Sequence, residues 1–214
     1  MPTTSAESQK QNEGDGPEHT GPAQTAPDEH LSSTIKAQVI DPATAGAVIA
    51  GSALLVTLMQ ELIAACGGDR AIAIGINNYL TTDLINPEQY IYSGQIVSVA
   101  VNIPAGDADA SAFQKTAGVG RGTVGVLTYK IEGTANKLAV LWSVPYDQAE
   151  YSFWYDVQVI PEKTPTDYNL YNDMYNGNPT KAGTNINKTT KGYQLAATCG
   201  TISKCEMNVS IKSA

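Results

Sequence analysis

The longest apolar stretch of the chain spans residues 43–66, in which Glu61 is the only charged side chain. Apolar residues recur at helical spacing and two glycines follow at 67 and 68, so the pattern predicts an amphipathic helix that ends there. Its apolar face is formed by Leu54, Leu55, Leu58, Met59, Leu62 and Ala65. The opposite face carries Ala53, Thr57, Gln60, Glu61 and Ala64. A helix of this length is roughly 36 Å long, about the apolar thickness of a bilayer. The pattern fits both a helix docked on a sheet and one that enters a membrane after release.

Beyond residue 68 the segments are β-branched or alternate between apolar and polar positions, and turn residues separate them, which is typical of short β-strands. Strands are predicted at residues 71–76, 95–103, 122–129, 138–144, 153–160 and 205–211. Residues 166–175 instead favour a short helix, in which Tyr168, Tyr171 and Tyr175 share one face. The sequence therefore predicts a mostly β fold, a β-sandwich flanked by two α-helices, one near each end of the chain.

The first residues differ in composition from the rest of the chain. Residues 1–34 contain no large apolar side chain except Met1 and Leu31, and they carry six acids against one base. Such a segment buries too little surface to offset the entropy lost on ordering, so it is predicted to be disordered. The predicted organisation is a disordered acidic extension at 1–40 (a propeptide or a linker), an amphipathic helix region at 41–68, and a β-sandwich body at 69–214.

The charge balance limits the partners of the protein. The whole chain carries a net charge of −8, but after the first 34 residues there are 15 acids against 12 bases. Neither part has the basic excess of a nucleic-acid-binding protein, so no nucleic-acid partner is expected. Attraction to anionic lipids is equally unsupported. Any membrane partner is therefore expected to be selected by a zwitterionic headgroup or by apolar contact.

The chemistry-bearing residue types exclude most catalytic sites. Both histidines, His19 and His30, lie in the predicted disordered segment, which leaves the body without a histidine for an acid–base triad or a zinc site. No enzyme activity, cofactor or metal is therefore expected. Cys199 and Cys205 bracket a hairpin-sized gap, and the sequence leaves open whether they form a disulfide or remain two thiols near a turn.

Aromatic residues are concentrated in one part of the body. Nine of the fifteen lie within residues 142–175, and most are tyrosine or tryptophan. These side chains suit a boundary between water and an apolar phase, because each has an apolar ring and a polar group. Their π faces also attract quaternary ammonium groups such as choline. The alternative is that several are core residues whose hydroxyl groups are hydrogen-bonded.

Five segments of the chain together match the pattern of a known family. They are AGAVI (45–49), AIAIGIN (71–77), GTVGVL (122–127), NKLAVLWSVPYD (136–147) and YSFWY (151–155). In order and spacing they resemble the actinoporins, the pore-forming cytolysins of sea anemones and their relatives in other animals. The resemblance implies a secreted protein that recognises sphingomyelin membranes through a phosphocholine pocket and forms homo-oligomers there. It also implies that the N-terminal helix inserts to form a cation-conducting pore. No signal-peptide pattern opens the chain.

The resemblance further implies which residues act. The lipid pocket would be formed by Ser93, Val124, Ser143, Pro145, Tyr151, Tyr171 and Tyr175. Trp154 and Tyr155 would form the membrane-facing loop. The pore-lining side of the helix would carry Ala50, Thr57, Gln60, Glu61 and Ala64.

Three positions depart from the family pattern. Glu150 stands where the family usually has an exposed tryptophan, Asn176 replaces a usual tyrosine, and Tyr92 replaces a usual basic residue. Burying an ionised carboxylate is costly, so the loop with Glu150 is expected to dock less deeply. The leading hypothesis is a pore-forming cytolysin. The alternative is a non-lytic lipid- or glycan-binding module on the same fold, and a third hypothesis is a toxin kept inactive until its acidic extension is cleaved.

Overall fold

The computed structural model describes the backbone of residues 45–214 and the side chains of residues 54–214. The acidic extension predicted at 1–40 and the side chain of Ala50 lie outside the described residues. Helix α1 spans Ala45–Ala65 and is followed at once by Cys66 and two glycines, which end it as predicted. Helix α2 spans Tyr168–Asn176, and the Asp167 carboxylate caps its first turn by accepting from the amides of Asn169 and Leu170 at 3.0 and 3.1 Å.

The strands of this part of the chain form two sheets. They are β1 (Ala71–Asn78), β2 (Leu84–Ser93), β3 (Gln95–Ser98), β4 (Ala108–Gln114), β5 (Thr123–Ile131), β6 (Asn136–Val144), β7 (Trp154–Pro161), β8 (Thr180–Lys181), β9 (Ile186–Thr190), β10 (Tyr193–Cys199) and β11 (Lys204–Ser213). One sheet has the order β3-β4-β1-β11-β10-β9, and the other has the order β2-β5-β6-β7-β8. The predicted fold class, a β-sandwich with two flanking helices, is confirmed.

The main core lies between the two sheets, where alternate residues of each strand point inward. Trp142 is fully buried and its ring stacks on Phe113 of the other sheet, with centroids 4.2 Å apart. Its indole Nε1 donates to Thr123 Oγ1 at 3.2 Å, so the ring is buried without leaving its N–H unpaired. These contacts determine which side of β5 and β6 faces the core, and the alternate residues of both strands consequently point outward.

Helix α1 packs on the outer face of the six-stranded sheet. The side chains of Leu55, Met59 and Leu62 are buried together with that of Cys66, which follows the helix. They rest on Ala71, Ala73, Ala110 and Ala112. Gly75 continues this small-residue floor, because a Cβ added there would lie 2.6 Å from Met59 Sδ. The helix therefore lies close to the backbone of β1, where a larger side chain would displace it.

The predicted apolar face of α1 packs on the sheet, but not all of its residues are buried. Leu54 and Leu58 are half-buried at its margin, whereas Ala65 is exposed. Leu55, Met59 and Leu62 of the predicted face are buried, and Cys66, just after the helix, continues the buried stripe. Of the predicted strands, only 95–103 is wrong in extent, since β3 ends at Ser98 and is followed by irregular chain.

Two properties of the described residues bear on the predictions. No helix within this part of the chain combines the length and apolar character needed to cross a membrane. The thiols of Cys66, Cys199 and Cys205 are free and buried, so of the two alternatives for Cys199 and Cys205 the structure has two thiols.

Candidate functional site

The outer face of the five-stranded sheet is covered by helix α2. Val126, Ala139 and Leu141 point away from the main core and form a second apolar layer with Leu170 and Met174 of the helix. The sheet alternation determines this arrangement, because residues adjacent to the inward-pointing Leu127 and Val140 must face outward. The helix is consequently held at a fixed height above the strands, and its tyrosines are placed beside those of β2.

Five tyrosines meet where α2 lies beside β2, and we call them the tyrosine cluster. They are Tyr90 and Tyr92 of β2 and Tyr168, Tyr171 and Tyr175 of α2. The rings of Tyr92 and Tyr171 are stacked at 4.7 Å, with 16° between their planes. Tyr171 also lies 5.5 Å from Tyr175 and 6.1 Å from Tyr90, centroid to centroid. Tyr171 is the centre of the cluster, and the other rings surround it.

Burial differs across the tyrosine cluster. Tyr171 is only 7% exposed, whereas Tyr92 and Tyr168 are 44% and 51% exposed. Burial, with smaller contributions from neighbouring tyrosines, raises the pKa of Tyr171. Burial likewise raises the pKa of Tyr90, so these phenols are uncharged at neutral pH. The cluster therefore presents neutral aromatic surface to solvent on a buried tyrosine support.

Three of the residues expected in the pocket lie in one row across the sheet, and Trp154 continues the row. Ser93 pairs with Val124, Val124 with Ser143, and Ser143 with Trp154. All face the side of the sheet that carries α2, because Val124 packs with the second apolar layer. Ser93 Oγ donates to the carbonyl of Gly122 at 3.0 Å, and Ser143 is 6% exposed. The structure thus brings together residues that are widely separated in the sequence.

The loop between β6 and β7 begins beside this row and is held by cationic side chains. Arg70 Nε and Nη2 donate to the carbonyl of Tyr146 at 3.0 and 2.8 Å, and Nε also lies 3.2 Å from the carbonyl of Pro145. The Tyr146 ring is contacted by Lys115 Nζ at 4.6 Å and by Arg70 Cζ at 5.3 Å. Pro145 itself is buried. The start of the loop is therefore fixed, whatever its tip contacts.

The tip of the loop carries an exposed tyrosine and a carboxylate. Tyr151 is 55% exposed, and its amide donates to the carbonyl of Asp147 at 3.1 Å. A hydrogen bond with Glu150 raises the pKa of the Tyr151 hydroxyl, with smaller contributions that include Asp147 and Tyr175. Glu150 is itself exposed, so its carboxylate stays hydrated.

The placement of Tyr155 in a membrane-facing loop is wrong. Tyr155 is fully buried in the main core, and its hydroxyl donates to the carbonyls of Thr184 and Ala197, the latter at 3.1 Å. Trp154 also belongs to strand β7 rather than to the loop, but it is half-buried and shares the row with Ser143. The cause is strand alternation, which sends adjacent residues to opposite faces.

The residues expected to line a pore lie on the other side of the molecule. Thr57, Gln60, Glu61 and Ala64 are exposed on the solvent side of α1, which packs on the six-stranded sheet. The tyrosine cluster lies on the outer face of the five-stranded sheet. The two predicted sets of residues are therefore separated by the full thickness of the sandwich. Ala50 lies outside the residues whose side chains are described.

Sequence reasoning gave Tyr92 only as a departure from the family pattern and missed Tyr90 altogether. Both contact helix α2 through ring contacts to Tyr168 and Tyr171. The signal was present as alternation, since Ile91 lies between the two tyrosines and packs against the main core. Among residues 54–214 no group of three or more histidine, cysteine or acidic side chains is placed to hold a metal ion.

Comparison with known proteins identifies the family. Residues 43–213 match the family described as sea anemone cytotoxic protein. The chain belongs to this family, the actinoporins. Bryoporin of Physcomitrium patens is 32% identical over 177 residues, which cover 79% of this chain and 99% of bryoporin. Deep-sea actinoporin Cjtox I of Cribrinopsis japonica is 35% identical over 72% of this chain and 70% of its own length.

A solved structure supports the same fold. The lipid-binding protein Nakanori superposes with a TM-score of 0.63 over 88% of this chain and 96% of its own, at 13% identity. The actinoporins are pore-forming cytolysins rather than enzymes, and the match to the family includes α1, the tyrosine cluster and the row that begins at Ser93. The first 42 residues precede the matched region.

Proposed function

We propose that this protein is a cytolysin that docks on sphingomyelin-containing membranes, forms homo-oligomers there and inserts its N-terminal helix as a cation-conducting pore. The observation that carries the proposal is the tyrosine cluster, an exposed aromatic surface continuous with the row Ser93–Val124–Ser143. Membership of the actinoporin family supports pore formation. The choice of lipid and the action of the helix are argued from the contacts of the tyrosine cluster and of α1.

The chemistry of the tyrosine cluster favours a choline headgroup. A quaternary ammonium group carries positive charge but has no N–H to donate, so it binds best to electron-rich ring faces. Tyr92 and Tyr168 offer such faces to solvent, and Tyr151 lies on the neighbouring loop. The phenol hydroxyls and the hydroxyl of Ser143 are suitable donors to a phosphate oxygen. The acidic balance of residues 35–214 gives no reason for anionic lipids to be preferred.

The way α1 is attached suits a helix that detaches. It contacts alanine and glycine positions of the sheet in a cluster separate from the main core. Its release therefore costs the burial of Leu55, Met59 and Leu62 without opening the space between the sheets. At its C-terminal end the Gly68 amide donates to Gln114 Oε1 at 2.8 Å, whereas Gly67 has open space around it. We therefore place the hinge at Gly67.

Dye leakage from vesicles tests the proposal. The full chain and a form that starts at Asp41 are added to phosphatidylcholine vesicles with and without sphingomyelin. Leakage that requires sphingomyelin is expected, at least from the shorter form. No leakage from either form, with binding retained, would leave a non-lytic binding module. Leakage from the shorter form alone would assign an inhibitory role to the acidic extension.

A reversible tether tests the role of the helix. Met59→Cys combined with Gly75→Cys places two thiols where the helix touches β1. The oxidised variant is expected to bind vesicles and to cause no leakage, and reduction is expected to restore leakage. Met59→Cys alone, treated with the same oxidant, is the matched control, because Gly75→Cys alone would press on Met59. Leakage by the oxidised double variant would show that the pore forms without helix release.

Two substitutions test the lipid site directly. Tyr151→Ala and Tyr175→Ala are each expected to weaken vesicle binding by about 1–2 kcal/mol, the scale of a desolvated cation–π contact. Binding is measured by co-sedimentation with sphingomyelin vesicles, with thermal unfolding as the control for folding. Unchanged affinity in both variants would place the lipid site elsewhere.

A further inference from the structure

The outer face of the six-stranded sheet has two unlike halves. The half under α1 consists of small apolar residues, whereas the half formed by β9, β10, β11 and the end of β1 is polar and open. Two adjoining cavities of about 420 and about 260 Å³ occupy the open half and share Tyr79, Asn187, Ala196 and Ser210 among their lining residues. We call this surface the polar groove. We propose that the polar groove binds a neutral oligosaccharide.

The strand register explains the shape of the groove. Asn77 pairs with Ser210, Ser210 with Ala196, and Ala196 with Asn187, so one row crosses four strands. Ala196 extends only a methyl group between the longer side chains of Ser210 and Asn187. In the flanking rows Asn208 pairs with Thr198, and Gln194 pairs with Lys212 and Thr189. The surface is therefore lowest at its centre and rises on both sides, as a groove requires.

The lining has the hydrogen-bonding capacity that a polyhydroxyl ligand needs. An amide side chain offers a donor and an acceptor together, which matches adjacent hydroxyl groups of a sugar. Within the described part of the chain, the side chains of Asn187, Gln194 and Asn208 make no hydrogen bond to the protein. Asn77 is partly committed, since its Nδ2 donates to the carbonyl of Val209 at 3.3 Å. Several amides and hydroxyls are thus left to solvent or to a ligand.

Other ligand classes fit the groove less well. No acidic side chain lines either cavity, which disfavours a metal cation. Sites for apolar small molecules are lined mainly by hydrophobic side chains, whereas this lining is mainly amide and hydroxyl. Lys188 Nζ donates to Asp156 Oδ1 at 2.8 Å, so its charge is already paired. Lys212 remains as the cation of the lining without an ion pair among the described residues, too little to select a polyanion.

An exposed aromatic ring completes the groove. Tyr79 lines both cavities and is 42% exposed. One face of a pyranose ring is largely C–H, and such a face packs on an aromatic ring while its hydroxyls point to polar groups. The groove lies on the opposite side of the sandwich from the tyrosine cluster. A sugar bound there leaves the proposed phosphocholine site open, so this function is separate from the one proposed above.

The test begins with protein that carries no attached glycan. Asn187 and Asn208 each begin an Asn-x-Ser/Thr tripeptide on the groove, so the full chain is made in bacteria. A glycan array identifies bound sugars, and the best neutral oligosaccharide is then titrated into ¹⁵N-labelled protein. Amide shifts confined to β9, β10, β11 and the end of β1 are expected. Inorganic phosphate is titrated in parallel.

Matched variants separate the groove from other surfaces. Ala196→Gln fills the centre of the groove from an outward strand position, and it is expected to lower the affinity for the sugar at least about tenfold. Tyr79→Ala removes the ring and is expected to act similarly. Ala135→Gln makes the same change on an exposed loop of the other sheet, and it is expected to leave binding unchanged. Leakage from vesicles without glycolipid is expected to be the same for all three.

Several results would overturn the proposal. They are the absence of any neutral glycan among the bound sugars, shifts produced by phosphate and not by sugar, and undiminished sugar binding by folded Ala196→Gln and Tyr79→Ala. Sugar-induced shifts at the tyrosine cluster instead of the groove would move the site to the other sheet. Loss of vesicle leakage would count against the proposed pore and not against the polar groove, because the groove is tested by sugar binding alone.

Discussion

Tyr92 lies face to face with Tyr171, with 4.7 Å between their ring centroids, although one belongs to β2 and the other to α2. Tyr171 is 7% exposed and Tyr92 is 44% exposed, so Tyr92 forms the outer layer of the stack. Where the family resemblance leads us to expect a basic residue, Tyr92 supplies a ring. The proposed lipid site therefore presents an aromatic ring, and no charge, at this position.

Removal of the outer ring is the first prediction. Tyr92→Ala is expected to weaken binding to sphingomyelin vesicles by about 1–2 kcal/mol, whereas Tyr92→Phe retains the ring and most of the affinity. Tyr79→Ala is the matched control, because Tyr79 is 42% exposed on the opposite sheet. Affinities are measured by vesicle co-sedimentation. An equal loss in Tyr92→Ala and Tyr79→Ala would show a general effect of exposed tyrosines.

Displacement of the helix is the second prediction. A Cβ at position 75 would lie 2.6 Å from Met59 Sδ and 3.2 Å from Leu55, so Gly75→Val is expected to weaken the docking of α1 by about 1–3 kcal/mol. Hydrogen exchange of the α1 amides is expected to accelerate, while the amides of β6 stay protected. Gly120→Val, where a side chain meets open space, is the control. Adding Met59→Ala to Gly75→Val is expected to restore part of the protection. Unchanged exchange in Gly75→Val would contradict the close contact.

Thiol labelling gives a third prediction, independent of leakage. Cys66 follows α1 and is 2% exposed; burial raises the pKa of its thiol, which donates to the carbonyl of Leu62 at 3.2 Å. In solution the thiol is expected to react slowly with a maleimide. On sphingomyelin vesicles, the proposed release of α1 would uncover Cys66, so its labelling is expected to rise several-fold.

The other two cysteines are internal controls for this labelling. Cys199 and Cys205 belong to the main core between the sheets, which helix release does not open. A hydrogen bond between the two thiols and burial raise the pKa of Cys205, so it is expected to stay unlabelled on vesicles. Mass spectrometry of peptides assigns the labelled site. Equal labelling of Cys66 and Cys205 would indicate general unfolding on the membrane instead of helix release.

The fourth prediction concerns acid stability. Hydrogen bonds from Lys137 and then Thr166 hold the pKa of Glu88 below its usual range. A carboxylate whose pKa is lower in the folded state stabilises that state above the ordinary glutamate pKa, and the stabilisation is lost as the pH falls through the lowered value. Glu88→Gln is therefore expected to reduce the free energy of unfolding at neutral pH, and the difference from the native protein is expected to shrink as the medium becomes acidic.

Urea unfolding at several pH values measures this difference. Glu132→Gln is the control, since the Glu132 side chain is exposed and makes no ion pair within the described part of the chain. A difference between Glu88→Gln and the native protein that stays constant with pH would show that the carboxylate charge is not what matters. The buried Lys137 would then be stabilised mainly by its contact with the Thr164 carbonyl.

The sequence predicts most of the strands that carry β-branched or alternating apolar residues. Strand β2 was missed because the sequence Asn86-Pro87 is typical of a turn. In the structure both residues lie within the strand, and Asn86 takes a positive φ of 49°. The pairing of β2 with β5 is irregular at the same place. Local pattern cannot reveal that such a segment is completed by its neighbour, and this strand carries Tyr90 and Tyr92.

The sequence indicated which aromatic residues to consider for the candidate site, but not which face of the sheet each one occupies. Alternation alone puts Trp154 and Tyr155 on opposite faces, and the structure sends Tyr155 into the core. Which face is inward depends on the pairing of β7 with β6, a relationship between distant segments. Family likeness supplied the row from Ser93 to Ser143 for the same reason, since no local rule relates two residues on different strands.

Strand β1 is paired along both edges, with β4 on one side and parallel to β11 on the other. If the membrane draws α1 outward as proposed, the load would reach this strand through Gly68 and the two residues that follow it. The force would act along β1, in shear, so that the hydrogen bonds of two ladders would have to break together. At a free sheet edge the hydrogen bonds would instead break one after another. Mechanical extension should therefore stop at the two glycines, with the sandwich serving as an anchor that stays folded while the segment before it is drawn away.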